Sequence, residues 1–181
     1  AAFGPLARSP RMDGRVNGQP DVFAVGNTNG QRILLCPEEP DGELEWHTDQ
    51  IHRKVPSRAT LLYALIIPPQ GGDTLFACTY SAYKGLDKET KQVCEGLTAI
   101  HSPDGLLRYL AGEGYAGTED IVYESKNDET RWPLVRHHPL TGRKALYFGS
   151  HVTVGIVGWP SKQAYQLINY LTQHTTQMRF Q

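Results

Sequence analysis

His47 and Asp49 stand two residues apart in the run Trp46-His47-Thr48-Asp49. On an extended strand, side chains at i and i+2 leave the same face, so one imidazole and one carboxylate would project together. A second imidazole from a distant strand would complete a 2-His-1-carboxylate facial set. Such a set holds Fe(II) and leaves three coordination positions open for a cosubstrate and O2. A lone HxD pair is a weak signal, and its surroundings decide its weight.

Downstream comes Gly71-Gly72-Asp73-Thr74. A Gly-Gly turn lets the backbone come close to a ligand, and a Thr hydroxyl there can donate to a carboxylate. Of the other histidines, His151 is the substrate-pocket candidate. It follows the strand expected over 144–148 and, once protonated, would suit an anionic substrate. His52 lies an odd number of residues from His47, on the opposite face of a continuing strand, and reads as pocket rim or solvent-facing. His101 reads as structural, with substrate contact as the alternative. His137 and His138 flank a turn, and Trp46 reads as a wall of the site.

The elements that must carry these groups are mostly short strands. Residues 1–45 are rich in Gly, Pro, Asn and Asp, broken by apolar stretches at 22–25 and 33–35, a pattern of short strands and long loops. A strand is expected over 44–49. The β-branched, apolar run 59–67 ends at Pro68-Pro69 and reads as a strand buried on both faces. Residues 81–97 mix charge with apolar residues at helical spacing, with Asp87 as N-cap and Gly96 as stop. Strands are expected over 134–138 and 144–148, joined by a Pro139-Leu140-Thr141-Gly142 turn. A last helix opens at Pro160-Ser161, with Ser161 as N-cap. Its Ala164, Leu167, Ile168 and Leu171 form one apolar stripe. Residues 102–132 read as a long excursion, a mobile insertion or lid. The fold class is therefore mostly β with peripheral helices, a barrel or sandwich, in a single domain over 1–181.

Composition excludes several roles. The 18 basic and 19 acidic residues give a net charge of -1, with no basic footprint for nucleic acid. No apolar run approaches the roughly 20 residues of a spanning helix, and the first ten residues lack the pattern of a signal peptide. Three widely spaced cysteines, Cys36, Cys78 and Cys94, read as reduced packing residues of a cytoplasmic protein. The expected partner is a small molecule, with no nucleic acid or membrane; a homo-oligomer is left open. The chain opens on Ala1 and stops at Gln181 in mid-pattern, as a piece of a longer protein would.

Taken together, these segments resemble the taurine/2,4-dichlorophenoxyacetate dioxygenase family. The similarity rests on Trp46 to Asp49 and on Pro68-Pro69-Gln70-Gly71-Gly72-Asp73-Thr74-Leu75-Phe76-Ala77. It also rests on Phe3-Gly4-Pro5-Leu6, on Ser81-Ala82-Tyr83 with Leu86, and on His138-Pro139-Leu140-Thr141-Gly142-Arg143-Lys144-Ala145-Leu146-Tyr147. Ser150-His151, Gly158-Trp159-Pro160 and residues 173–177 are closer to the phenoxyacetate branch. The resemblance implies a double-stranded β-helix (jelly roll), incomplete in this chain. It implies Fe(II) as cofactor, with 2-oxoglutarate and O2 as cosubstrates. The reaction would hydroxylate a small, anionic organic substrate and release succinate and CO2. His47 and Asp49 would be metal ligands, and Thr74 would contact 2-oxoglutarate.

In that family a second His ligand and a carboxylate-binding Arg follow the last helix, and both are expected beyond Gln181. A bidentate Arg–carboxylate pair is not replaced by a Thr hydroxyl, so the 181 residues by themselves should be inactive. Asp49 argues against a halogenase, which would carry Ala or Gly there. A cupin-like isomerase would lack the Gly71 to Thr74 turn. A non-catalytic jelly-roll binding protein is the remaining alternative.

Overall fold

The computed structural model describes residues 4–7, 15–24, 46–105 and 129–181. The chain groups into two compact units, Ala1–Glu45 with Pro103–Asp128, and Trp46–Ser102 with Glu129–Gln181. In the first unit, β1 (Arg15–Val16) pairs antiparallel with β2 (Gln19–Phe23). Gly18 turns between them at φ 76°, a left-handed conformation that glycine adopts without a Cβ clash. The apolar stretch at 33–35, Cys36, and most of the expected excursion at 102–132 lie outside the described residues. The end of that excursion is a strand, β4.

The second unit carries the candidate site. Its helices are α1 (Thr79–Gly85), α2 (Lys88–Glu95) and α3 (Ser161–Thr175), followed by a 3-10 turn at Met178–Phe180. A three-stranded antiparallel sheet has the order β4 (Thr130–Pro133), β3 (Thr98–His101), β7 (Thr153–Ile156). β5 (Val135–His137) and β6 (Lys144–Leu146) form a separate hairpin.

Local chemistry explains most of these elements. Asp87 caps α2 by accepting from the Thr90 N–H at 2.8 Å and the Thr90 hydroxyl at 2.6 Å. Those bonds hold its carboxyl below the usual range, and Gly96 ends the helix as expected. The single helix expected over 81–97 is broken at Leu86, which lies in extended backbone. The turn between β5 and β6 closes with Gly142 at φ 66° and its N–H on the His138 carbonyl at 2.8 Å. Helix α3 buries Ala164, Ile168 and Leu171, the expected stripe. Its N-cap is Pro160, and Ser161 is its first residue, with no side-chain cap. A proline cannot donate a backbone N–H, so it fits a helix start, where that donor would be unpaired anyway.

The stripe of α3 joins Leu86, Cys94, Leu134, Leu146 and Phe180 in one core. The His174 ring, buried on α3, lies 2.8 Å from the Ala82 carbonyl through Nε2, which assigns it to packing. Gly85 sits where α1 meets Phe180: a Cβ there would stand 2.6 Å from the Phe180 ring. Overpacking of that kind costs about 1–3 kcal/mol, against a helix-propensity gain of roughly 0.5–1 kcal/mol for Gly→Ala. Gly85→Ala is therefore expected to lower the denaturant midpoint. A midpoint at or above that of the wild type would show that Phe180 moves aside freely.

Four further expectations are corrected. No strand forms over 59–67. Leu61, Leu62, Tyr63, Leu65, Ile66 and Ile67 are each 63–85% exposed. Strand propensity reports how well a side chain suits a pleated, covered surface, and among the described residues no ladder partner covers this one. Residues 46–49 are not a strand either. They lead into a turn in which Gln50 takes φ 51°. His52 is 8% exposed, against the expected rim position, because that turn folds it inward beside the fully buried Ile51. Cys94 is buried as expected, but Cys78 is exposed. Cys78 ends the extended run as the N-cap of α1.

Candidate metal centre

The turn after Trp46 brings the two candidate ligands together without a strand. His47 Nε2 lies 3.3 Å from Asp49 Oδ1, and both side chains are about half exposed. Thr60 donates from its hydroxyl to Asp49 Oδ2 at 2.6 Å. The hydrogen bond from His47 does most to hold the Asp49 carboxyl below its usual pKa; burial opposes it, while Thr60 and the imidazole charge lower it further. Asp49 is thus kept as a carboxylate, the form that binds a metal.

The pair fits a metal. Bonds of roughly 2.0–2.2 Å to N and O donors, set at a right angle, would place the two donors about 3 Å apart. His47 and Asp49 stand close to that separation. Among the described residues no group of three His, Cys, Asp or Glu could hold a metal ion.

Three links tie the ligand turn to the turn at 148–153. Thr48, between the two ligands, donates from its hydroxyl to the Phe148 carbonyl at 3.3 Å. Ser150 donates to the Trp46 carbonyl at 2.6 Å. Gly149 faces Thr48, and a Cβ there would lie at ordinary contact distance, 3.6 Å, from the Thr48 nitrogen. His151, the substrate candidate, is carried on this second turn and is partly buried. Thr74 lies just past Gly71 and Gly72, which take φ 71° and 76°. It is exposed, and no hydrogen bond among the described residues ties it to the other three candidates.

Sequence reasoning missed Thr60 and Ser150 at this site, and Thr153 behind it. Thr60 and Ser150 reach it through hydroxyl bonds to residues 11 and 104 positions away, which periodicity does not report. Beyond them, the Arg136 guanidinium lies over the rings of Trp132 and Tyr147, at 4.4 and 4.3 Å from their centroids, in cation–π range. Tyr147 also meets the buried His101 edge-on at 6.0 Å.

No helix among the described residues is long and apolar enough to cross a membrane. The family model for the taurine catabolism dioxygenase TauD, TfdA family matches residues 1–181. An alpha-ketoglutarate-dependent 2,4-dichlorophenoxyacetate dioxygenase of Cupriavidus pinatubonensis is 33% identical over 169 residues, which are 93% of this chain and 53% of that protein. An alpha-ketoglutarate-dependent sulfate ester dioxygenase of Pseudomonas putida is 30% identical, covering 83% of this chain and 51% of its own length. The crystal structure of AAD-2 in complex with Mn(II) and N-oxalylglycine aligns with a TM-score of 0.60 and 34% identity, over 75% of this chain and 52% of its own. The chain thus spans about half the length of these relatives. With the match running from its first residue to its last, the chain belongs to the TauD/TfdA dioxygenase family.

Proposed function

We propose that the protein containing this chain is an Fe(II)- and 2-oxoglutarate-dependent dioxygenase that hydroxylates a small anionic organic molecule, releasing succinate and CO2. The observation that carries this reading is the His47–Asp49 pair, whose donors lie 3.3 Å apart, in a chain of this family. When bound, the iron would supply the redox chemistry with O2. His47 and Asp49 would supply one neutral and one anionic ligand on adjacent coordination positions. The second His ligand and the Arg for 2-oxoglutarate are assigned to the half of the relatives' length that this chain does not span, as are the remaining strands of a jelly roll.

Thr74 is the proposed contact to 2-oxoglutarate, through its hydroxyl beside the left-handed Gly71-Gly72 backbone. His151 is the proposed substrate contact, because its turn is bonded to the backbone of Trp46 beside the ligands. An anionic substrate is favoured by analogy with relatives named for dichlorophenoxyacetate and sulfate esters.

The test is succinate release by the full-length protein, screened across sulfonates, aryloxyacids and alkyl sulfates. Substrate-dependent succinate from one class supports the reading. Iron-dependent binding with no succinate from any class would favour a binding protein on the same fold. With a substrate in hand, His151→Ala should raise its KM about tenfold, the scale of one lost hydrogen bond to a charged group, and leave the KM for 2-oxoglutarate near that of the wild type. Equal effects on both would remove His151 from the substrate pocket.

A further inference from the structure

The ligand turn is held from behind by a hydrogen-bond chain that starts at β3. Thr153, 5% exposed, opens β7 and has two neighbours for its single hydroxyl. Its Oγ1 accepts the Gly149 N–H at 2.9 Å and lies 3.0 Å from Nδ1 of His101. The hydroxyl can accept from Gly149 and still share one hydrogen bond with Nδ1, whichever tautomer His101 adopts. His101 is fully buried on a strand paired on both sides, so it is a fixed anchor. From it the chain runs through Thr153 to Gly149.

Gly149 and its neighbours then hold the backbone of the ligands. The Thr153 N–H closes the turn on the Gly149 carbonyl at 3.0 Å, and the Ser102 N–H fastens it to β3 through the Val152 carbonyl at 2.8 Å. On the far side of that turn, the Phe148 carbonyl accepts Thr48 and the Ser150 hydroxyl donates to Trp46. Thr48 stands between the two ligands, so fixing it limits how far His47 and Asp49 can separate. Groups behind the ligands set the geometry that a metal meets, and their loss commonly costs 10–100-fold in metal affinity.

We propose that Thr153 is a positioning residue for the metal pair, locking the 148–153 turn between His101 and Gly149 so that Ser150 and Phe148 hold Trp46 and Thr48. This rests on His47 and Asp49 being metal ligands. The test is Mn(II) binding to the full-length protein, followed by electron paramagnetic resonance, with 2-oxoglutarate present. Thr153→Val removes the hydroxyl at nearly constant volume and should weaken Mn(II) binding about 10–100-fold. Thr153→Ser keeps the hydroxyl and should restore most of it. In turnover assays the concentration of Fe(II) needed for half-maximal rate should rise in Thr153→Val, while kcat at saturating Fe(II) stays near that of the wild type.

Wild-type affinity in Thr153→Val, or an equal loss in Thr153→Ser, would overturn the proposal. Should Thr153→Val fail to fold, Ser150→Ala cuts the same chain at a partly exposed residue. It should also weaken Mn(II) binding, and unchanged affinity there would count equally against the clamp. A wild-type protein that binds no more Mn(II) than His47→Ala would instead sink the metal assignment itself, and the clamp with it.

Discussion

Asp49→Ala in the full-length protein is expected to reduce 2-oxoglutarate-dependent succinate formation to background and to abolish tight Mn(II) binding. The fold should survive. Asp49 is about half exposed, and substitutions at exposed positions usually change stability by no more than about 0.5 kcal/mol. What is lost is the anionic donor, which no neighbour among the described residues replaces: Thr60 contributes only a neutral hydroxyl. Circular dichroism and a denaturant midpoint establish the fold; succinate and metal titrations establish the loss. Turnover equal to that of the wild type would mean that the ligand pair lies elsewhere in the protein.

A second large effect is expected in acid, and it comes from His101. Burial first, then the charges of His52 and Arg136, push its pKa from 6.5 down to about 4. The unfolded chain takes up the proton below pH 6.5, whereas the folded chain refuses it until about pH 4. Between those values the unfolded state binds more protons, so stability falls as pH falls through this window. At 1.36 kcal/mol per unit of pKa difference, the loss is on the order of 3 kcal/mol. The carboxyls of Asp49, Asp87 and Glu95 are held below their usual range, a shift in the same direction as that of His101, and they too favour the folded state at neutral pH. Their contribution is lost below the ordinary carboxylate range, at the acid edge of this window. The check is the denaturant midpoint of wild type and His101→Asn at pH 7 and pH 5. The wild type should lose much more than the variant, and equal losses would show that His101 is not the group responsible.

Features governed by neighbours in sequence were legible before the structure. The Asp87 cap, the Gly96 stop, the Pro139 to Gly142 hairpin and the apolar stripe of α3 depend on turn chemistry and local spacing, and each appears where its residues are. The His47–Asp49 pair was legible too, although the strand geometry used to unite them was wrong. A turn with Gln50 at positive φ does the same work. What depends on distant residues was not legible. The run 59–67 has every local mark of a buried strand, yet burial requires a covering partner that composition cannot supply. His52 was assigned outward by alternation, which fails once the backbone turns. The link from His101 to Thr153 spans 52 residues, and no spacing rule foretells it.

The exposed run at 59–67 also has a colloidal consequence. Six large apolar side chains in seven positions, with no charge among them, match the composition of segments that stack into cross-β assemblies. The chain brackets that run with residues that interrupt such stacking. Arg58 stands immediately before it, and Pro68-Pro69, which cannot donate to a ladder, immediately after. Gatekeepers of this kind limit how far an intermolecular sheet can spread along the chain. Wherever this stretch stands uncovered, its solubility therefore leans on one cation and two prolines.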